Sequence, residues 1–229
     1  MNRIQITPEL VERLIGGGYT DSAREEQRFI AEDTFALAQA IGERMCEHFT
    51  LDTYNSAAYM GIAKWLVGDP SMVAGNEDGS RPVHGDLNKG IYLHGEVGVG
   101  KTLCLDIFRI VAKYLDIQFD GKPLRWTTFR TDEVCAEFER TGELDNYRKI
   151  QCVCFQDLGS EPQEVLYMGN RRNVMRSVLE YRGDMKRGLT LITSNLPITK
   201  IGEYYGQRVQ SRLMQMCNIL TIGGGDRRR

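Results

Sequence analysis

Eight consecutive residues, Gly95-Glu96-Val97-Gly98-Val99-Gly100-Lys101-Thr102, have the types and spacing of a phosphate-binding loop. Glycines let successive backbone N–H groups curl around phosphate oxygens. A helix that opens at the lysine adds the positive end of its dipole. In such a loop the lysine reaches the β- and γ-phosphates and the following hydroxyl faces Mg²⁺. Lys101 and Thr102 fill those two places. A nucleotide with Mg²⁺ is therefore the expected ligand, provided that the loop follows a strand and begins a helix.

The same chemistry needs an acid at the end of a neighbouring strand, to hold the metal and aim the attacking water. The apolar run Cys152–Phe155 supplies a strand, Asp157 stands at its end, and Glu161 lies four residues on as a more distant base. Asp157 also fits a plain turn before Gly159. A third polar group follows the apolar run Leu189–Thr193: the amide of Asn195 can hydrogen-bond a γ-phosphate or a water, or merely form the turn before Leu196-Pro197. Arg208 and Arg212 are four apart on a predicted helix and so share a face. One of them presented to a neighbouring subunit's γ-phosphate would act as a finger in trans. Spacing alone favours a solvated basic face.

These groups must be positioned by a layered α/β fold. From Gly90 onward, apolar strands (Ile91–His94, Arg125–Phe129, Cys152–Phe155, Leu189–Thr193, Asn218–Ile222) alternate with helical stretches (102–115, 132–140, 170–181, 198–204, 208–216). That alternation predicts parallel crossovers and a five-stranded parallel sheet flanked by helices. Upstream, apolar periodicity predicts helices over Pro8–Ile15, Ser22–His48 and Ser56–Val67, with Gly16-Gly17-Gly18 as a break. Gly68–Gly90, rich in Gly, Pro, Asp and Asn, reads as loop. The expected organisation is an N-terminal helical region (1–50), a helix and loop linker (51–88) and a nucleotide-binding core (89–229).

The chain has 229 residues, 41% hydrophobic and 26% charged, which fits an ordinary globular protein. A net charge of -2 excludes attachment to nucleic acid by bulk charge, so any such contact is local. The basic spots are Arg171-Arg172 and the end, Asp226-Arg227-Arg228-Arg229; Arg171 and Arg172 also fit a solvated helix start. None of the six cysteines forms a C-x-x-C pair, and Cys152 and Cys154 point the same way on one strand, so reduced, buried thiols are expected. No apolar stretch is long enough to span a membrane, and a cytoplasmic location is expected.

Taken together, "KGIYLHGEVGVGKT", "DLGSEP", "VLEYRGD", "TLITSNLP" and "YYGQRVQSRLMQMCNI" resemble, in this order, the AAA+ ATPases of the DnaC/DnaI helicase-loader group, with the IstB transposition helpers as relatives. The resemblance covers roughly Lys89–Ile222. It implies an AAA+ core that binds ATP and Mg²⁺ through Gly95–Thr102, with Asp157, Asn195 as sensor 1, and Arg212 as the trans finger with Arg208 as its companion. It further implies a homo-oligomer, a replicative DNA helicase and single-stranded DNA as partners, with the helicase met through residues 1–50. Two departures stand out. Gln156 occupies the place of the family's metal-holding acid, which predicts slow hydrolysis, because an amide carries no charge to a metal. Only "GGGDRRR" follows Ile222, which predicts a core without a C-terminal helical lid. Arg227–Arg229 could replace a lid arginine, touch DNA phosphates or form a loose tail. A nucleotide-gated adaptor with negligible hydrolysis and a transposition helper are the alternative functions.

Overall fold

A computed structural model describes residues 4–16, 29–76, 79–185 and 188–228. The helices are α1 (Pro8–Ile15), α2 (Ala31–Met45), α3 (Ser56–Val67), α4 (Lys101–Tyr114), α5 (Thr131–Thr141), α6 (Asp145–Arg148), α7 (Val174–Met185), α8 (Ile198–Tyr205) and α9 (Gln207–Met216). The strands are β1 (Val73–Gly75), β2 (Pro82–His84), β3 (Gly90–His94), β4 (Gln118–Phe119), β5 (Lys122–Pro123), β6 (Thr127–Arg130), β7 (Cys152–Leu158), β8 (Val165–Tyr167), β9 (Asn170–Arg172), β10 (Leu189–Ser194) and β11 (Cys217–Thr221).

Local chemistry sets several of these bounds. Thr7 caps α1, its hydroxyl accepting from the Leu10 N–H, and Pro8 opens the helix where no N–H is needed. Gly68, in the left-handed region at φ 73, ends α3. The predicted helix over 22–48 is α2 from Ala31 onward; residues 22–28 lie outside the described ones. It stops at Met45 because Cys46 turns extended.

The main sheet has the order β2-β1-β11-β3-β10-β7-β6. The five expected strands, β11 to β6, are parallel. Two antiparallel strands extend the sheet to seven, because the segment expected to be loop forms the hairpin β1–β2 and pairs with β11. Its three-residue strands are too short for an alternation to show in sequence.

Strand alternation puts a helical layer on each face. Ile91, Leu93, Cys152, Cys154, Leu189 and Leu191 join the cluster formed with α1 to α4. Tyr92, Val153, Phe155 and Ile192 join the opposite cluster, under α5 and α7 to α9. Cys152 and Cys154 thus share a face, as expected, and both are buried. Around this core the backbone is closely packed: a Cβ on Gly90 would lie 1.9 Å from the Thr190 carbonyl oxygen on β10. On the second face Arg182 of α7 is only 2% exposed. It has no carboxylate among its acceptors, which are Thr190 Oγ1 and the carbonyls of Tyr147, Arg148, Ile150 and Leu189. Burial pulls its pKa down to about 10.

Candidate nucleotide site

The C-terminal ends of the parallel strands carry the site, as open α/β sheets dictate. The Gly95–Gly100 loop leaves β3 and enters α4, giving the strand-loop-helix context the motif requires. Gly98 and Gly100 have φ 83 and 97, conformations that favour glycine. Val97, Gly98, Val99, Gly100, Lys101 and Thr102 line a cavity of about 760 Å³. Gly95 and Glu96 are not in that lining; their carbonyls accept from Lys101.

Lys101 is 5% exposed. Its ammonium donates to Gly95 O (2.8 Å), Glu96 O (2.7 Å) and Asn195 Oδ1 (2.8 Å). Asn195 is therefore placed on the phosphate lysine itself. Burial pulls the lysine pKa down, Asp157 acts in the opposite direction, and Arg228 adds to the lowering. Lys101 thus feels both the Asp157 and the Arg228 charge from within the cavity.

Asp157 lines the same cavity, and Gln156 does not. The backbone explains the difference. Asp157 sits at φ 60, left-handed and costly for a non-glycine residue. Three hydroxyls hold it there: its N–H donates to Thr193 Oγ1 (3.0 Å), and its carbonyl accepts from Thr131 Oγ1 (3.1 Å) and Ser160 Oγ (2.6 Å). The strand register beside it shifts between Ile192 and Ser194. Glu161, the more distant acid, is committed elsewhere. It is buried, accepts from the Gly159 N–H (2.9 Å) and from the Tyr205 hydroxyl, and so ties the 157–161 turn to α8.

Several lining residues escaped the sequence reading. Asp106 and Arg130 lie beside the phosphate loop. Asp106 is one turn after Thr102 on the same helix face, which was a usable signal. Cys46, Phe49, Thr50, Asn55 and Tyr59, from the α2–α3 connection and α3, form a second wall. No motif marks them. Arg227 and Arg228 line the cavity too. The Arg227 guanidinium donates to Asp52 Oδ2 (2.7 Å) and to Thr50 O (3.2 Å), and its N–H donates to Gly98 O (3.0 Å). The segment after β11 is therefore laid across the loop, up to Arg228; Arg229 lies outside the described residues.

Arg208 and Arg212 stand apart from this cavity. Both are on α9 and both donate to one carboxylate, Asp184 at the end of α7, at 2.8 and 2.6 Å. Arg171 and Arg172 are not a helix start. They form the exposed strand β9, where Arg171 pairs with Glu164 (3.4 Å) and Arg172 lies over the Phe138 ring.

No family model matches the chain, and no curated protein does. Among solved structures, the crystal structure of the DnaC helicase loader matches at 19% identity and a TM-score of 0.51, covering 76% of this chain and 93% of that one. The fold of this chain is therefore like that of the helicase-loader structure. Domain III of the Thermotoga maritima replication initiation protein DnaA matches at 18% identity and a TM-score of 0.48, covering 77% of this chain and 65% of that one. Within this fold, Val97–Thr102, Asp157 and Asn195 converge at one cavity, and the arginines of α9 lie outside it. Among the described residues no helix is long and apolar enough to cross a membrane.

Proposed function

We propose that this AAA+ chain is an ATP-binding, weakly ATP-hydrolysing helicase loader. It assembles with ATP and helps place a replicative DNA helicase on single-stranded DNA in the cytoplasm. The observation that carries the reading is the convergence of Lys101, Asn195 and Asp157 in one cavity while Arg208 and Arg212 lie outside it on Asp184. That division suits a site completed by a second subunit.

The residues present fit ATP and Mg²⁺. Among the described residues no group of three or more metal-ligating side chains exists. A Mg²⁺ ion here would rest on Thr102 and Asp157, which both line the cavity, together with nucleotide phosphates, the usual arrangement for this ion. Bound Mg²⁺ would supply charge neutralisation on the phosphates. The chain's own share is to cradle phosphate with backbone N–H groups, to pair it with Lys101, and to hold Asp157 and Asn195 towards it. Residues 1–50 are the proposed helicase-binding region, and the core spans 89–229.

Gln156 favours a second reading, a nucleotide-gated adaptor with negligible turnover, since it leaves the pocket one carboxylate short. Phosphate release measured with and without single-stranded DNA and a hexameric replicative helicase separates the two. A loader shows slow turnover stimulated by these partners, abolished by Lys101→Ala, and reduced about 100-fold or more by Asp157→Asn while ATP stays bound. No turnover under any condition leaves the adaptor. Failure to bind helicase and DNA with ATP present sinks the loader.

A further inference from the structure

Asp184 is absorbed by neither the nucleotide cavity nor the core, yet it holds the two arginines assigned to the proposed assembly. It lies exposed at the end of α7. Its Oδ1 accepts from Arg212 (2.6 Å) and its Oδ2 from Arg208 (2.8 Å), so each oxygen serves one guanidinium. The preceding residue completes the arrangement. A Cβ on Gly183 would lie 2.8 Å from Arg212 Cβ, Cγ and Cδ, so only glycine lets the arginine stem lie flat against α7. Arg212 also donates to Gln215 Oε1 at 3.2 Å, and its Nε is buried without a partner. Arg212 is 27% exposed at its side chain against 59% for Arg208. The first is therefore the more closely held member of the pair and the second the more exposed one.

We propose that Asp184 is a positioning residue for the trans arginines: one carboxylate that keeps two like charges, a helical turn apart, aimed from the α7–α9 face at the triphosphate of a neighbouring copy of this chain. Left alone, cations at i and i+4 repel and splay. Two guanidiniums on one carboxylate leave a net charge of +1, so the cluster still attracts phosphate. Each guanidinium has five donors, and one or two are spent here. Apart from the buried Arg212 Nε, the rest remain for the incoming oxygens. The proposal rests on the assembly reading above.

The test measures ATP-dependent assembly by sedimentation or light scattering. Asp184→Ala should raise the protein concentration for half-assembly about ten-fold, roughly the weight of one charge-assisted hydrogen bond. Affinity for ATP in the isolated subunit should change by less than about two-fold. Asp184→Glu should recover most of the loss. Complementation supplies the readout that a structural role would not move. Asp184→Ala keeps its nucleotide pocket, and Lys101→Ala keeps its arginines held. Neither should assemble alone at concentrations where the parent does, whereas an equimolar mixture with ATP should form dimers closed at one junction. Asp184→Ala assembling like the parent while Arg212→Ala fails would overturn the proposal and leave the assembly reading standing. A mixture that stays monomeric would overturn it too. Arg212→Ala assembling like the parent would end the assembly reading, and this proposal with it.

Discussion

His94 ends β3 immediately before the phosphate loop, and its ring Nε2 is hydrogen-bonded to Thr221 Oγ1 across the sheet at 2.9 Å. Burial, and then the Lys101 charge, disfavour its cation and hold its pKa below 6.5. The folded chain thus binds fewer protons at this ring than the unfolded chain in mildly acid solution. The stability that follows is complete above the unfolded pKa of 6.5 and is lost as pH falls from there towards the folded value. Urea titrations at about pH 7.5 and about pH 5.5 should show the parent losing more stability than His94→Asn over that interval. Equal losses would mean that the ring carries no linkage. Asp157 shows what residue-level reading gains from the backbone. Its type and place were legible from the strand that precedes it. Its left-handed φ was not, and that conformation is what gives the cavity to Asp157 and withholds it from Gln156.

Elements with a period or a cap were readable; elements without one were not. The helices α1 and α3 were legible to the residue because Thr7-Pro8 and Gly68 punctuate them. Most of the parallel strands were legible because they are apolar runs bounded by turn residues; β6, Thr127–Arg130, is the polar exception and was read two residues early at its start. The hairpins β1–β2 and β8–β9 were missed, since strands of three residues carry no alternation. The phosphate half of the cavity was written in a motif, and the wall from Cys46 to Tyr59 was not, because it is brought there only by packing of α2 and α3 on α4. Close approach between strands is likewise invisible in sequence. Gly90→Ala should cost about 3 kcal/mol, because its methyl group would meet the β10 backbone, which cannot move aside cheaply. Gly225→Ala, with nothing within 4 Å, is the control and should change stability by less than about 0.5 kcal/mol. Denaturant midpoints decide between them, and equal effects would refute the packing argument.

For the molecule as a whole, the cavity residues and the α9 arginines that lie outside the cavity have separate proposed roles, and they should fail separately. Arg212→Ala should leave ATP affinity within about two-fold of the parent and reduce ATP-dependent assembly or turnover. A large loss of nucleotide binding by the isolated variant would count against a role in trans. The buried Arg182 adds a contrast between fold and assembly. That cation is solvated by a hydroxyl and four peptide carbonyls, so dissolved ions have nothing to compete for. The Asp184 cluster is exposed and lies within reach of screening. In the proposed assembly, ionic strength is therefore a dial that turns one equilibrium more than the other: raising it should disperse the subunits well before it melts any of them.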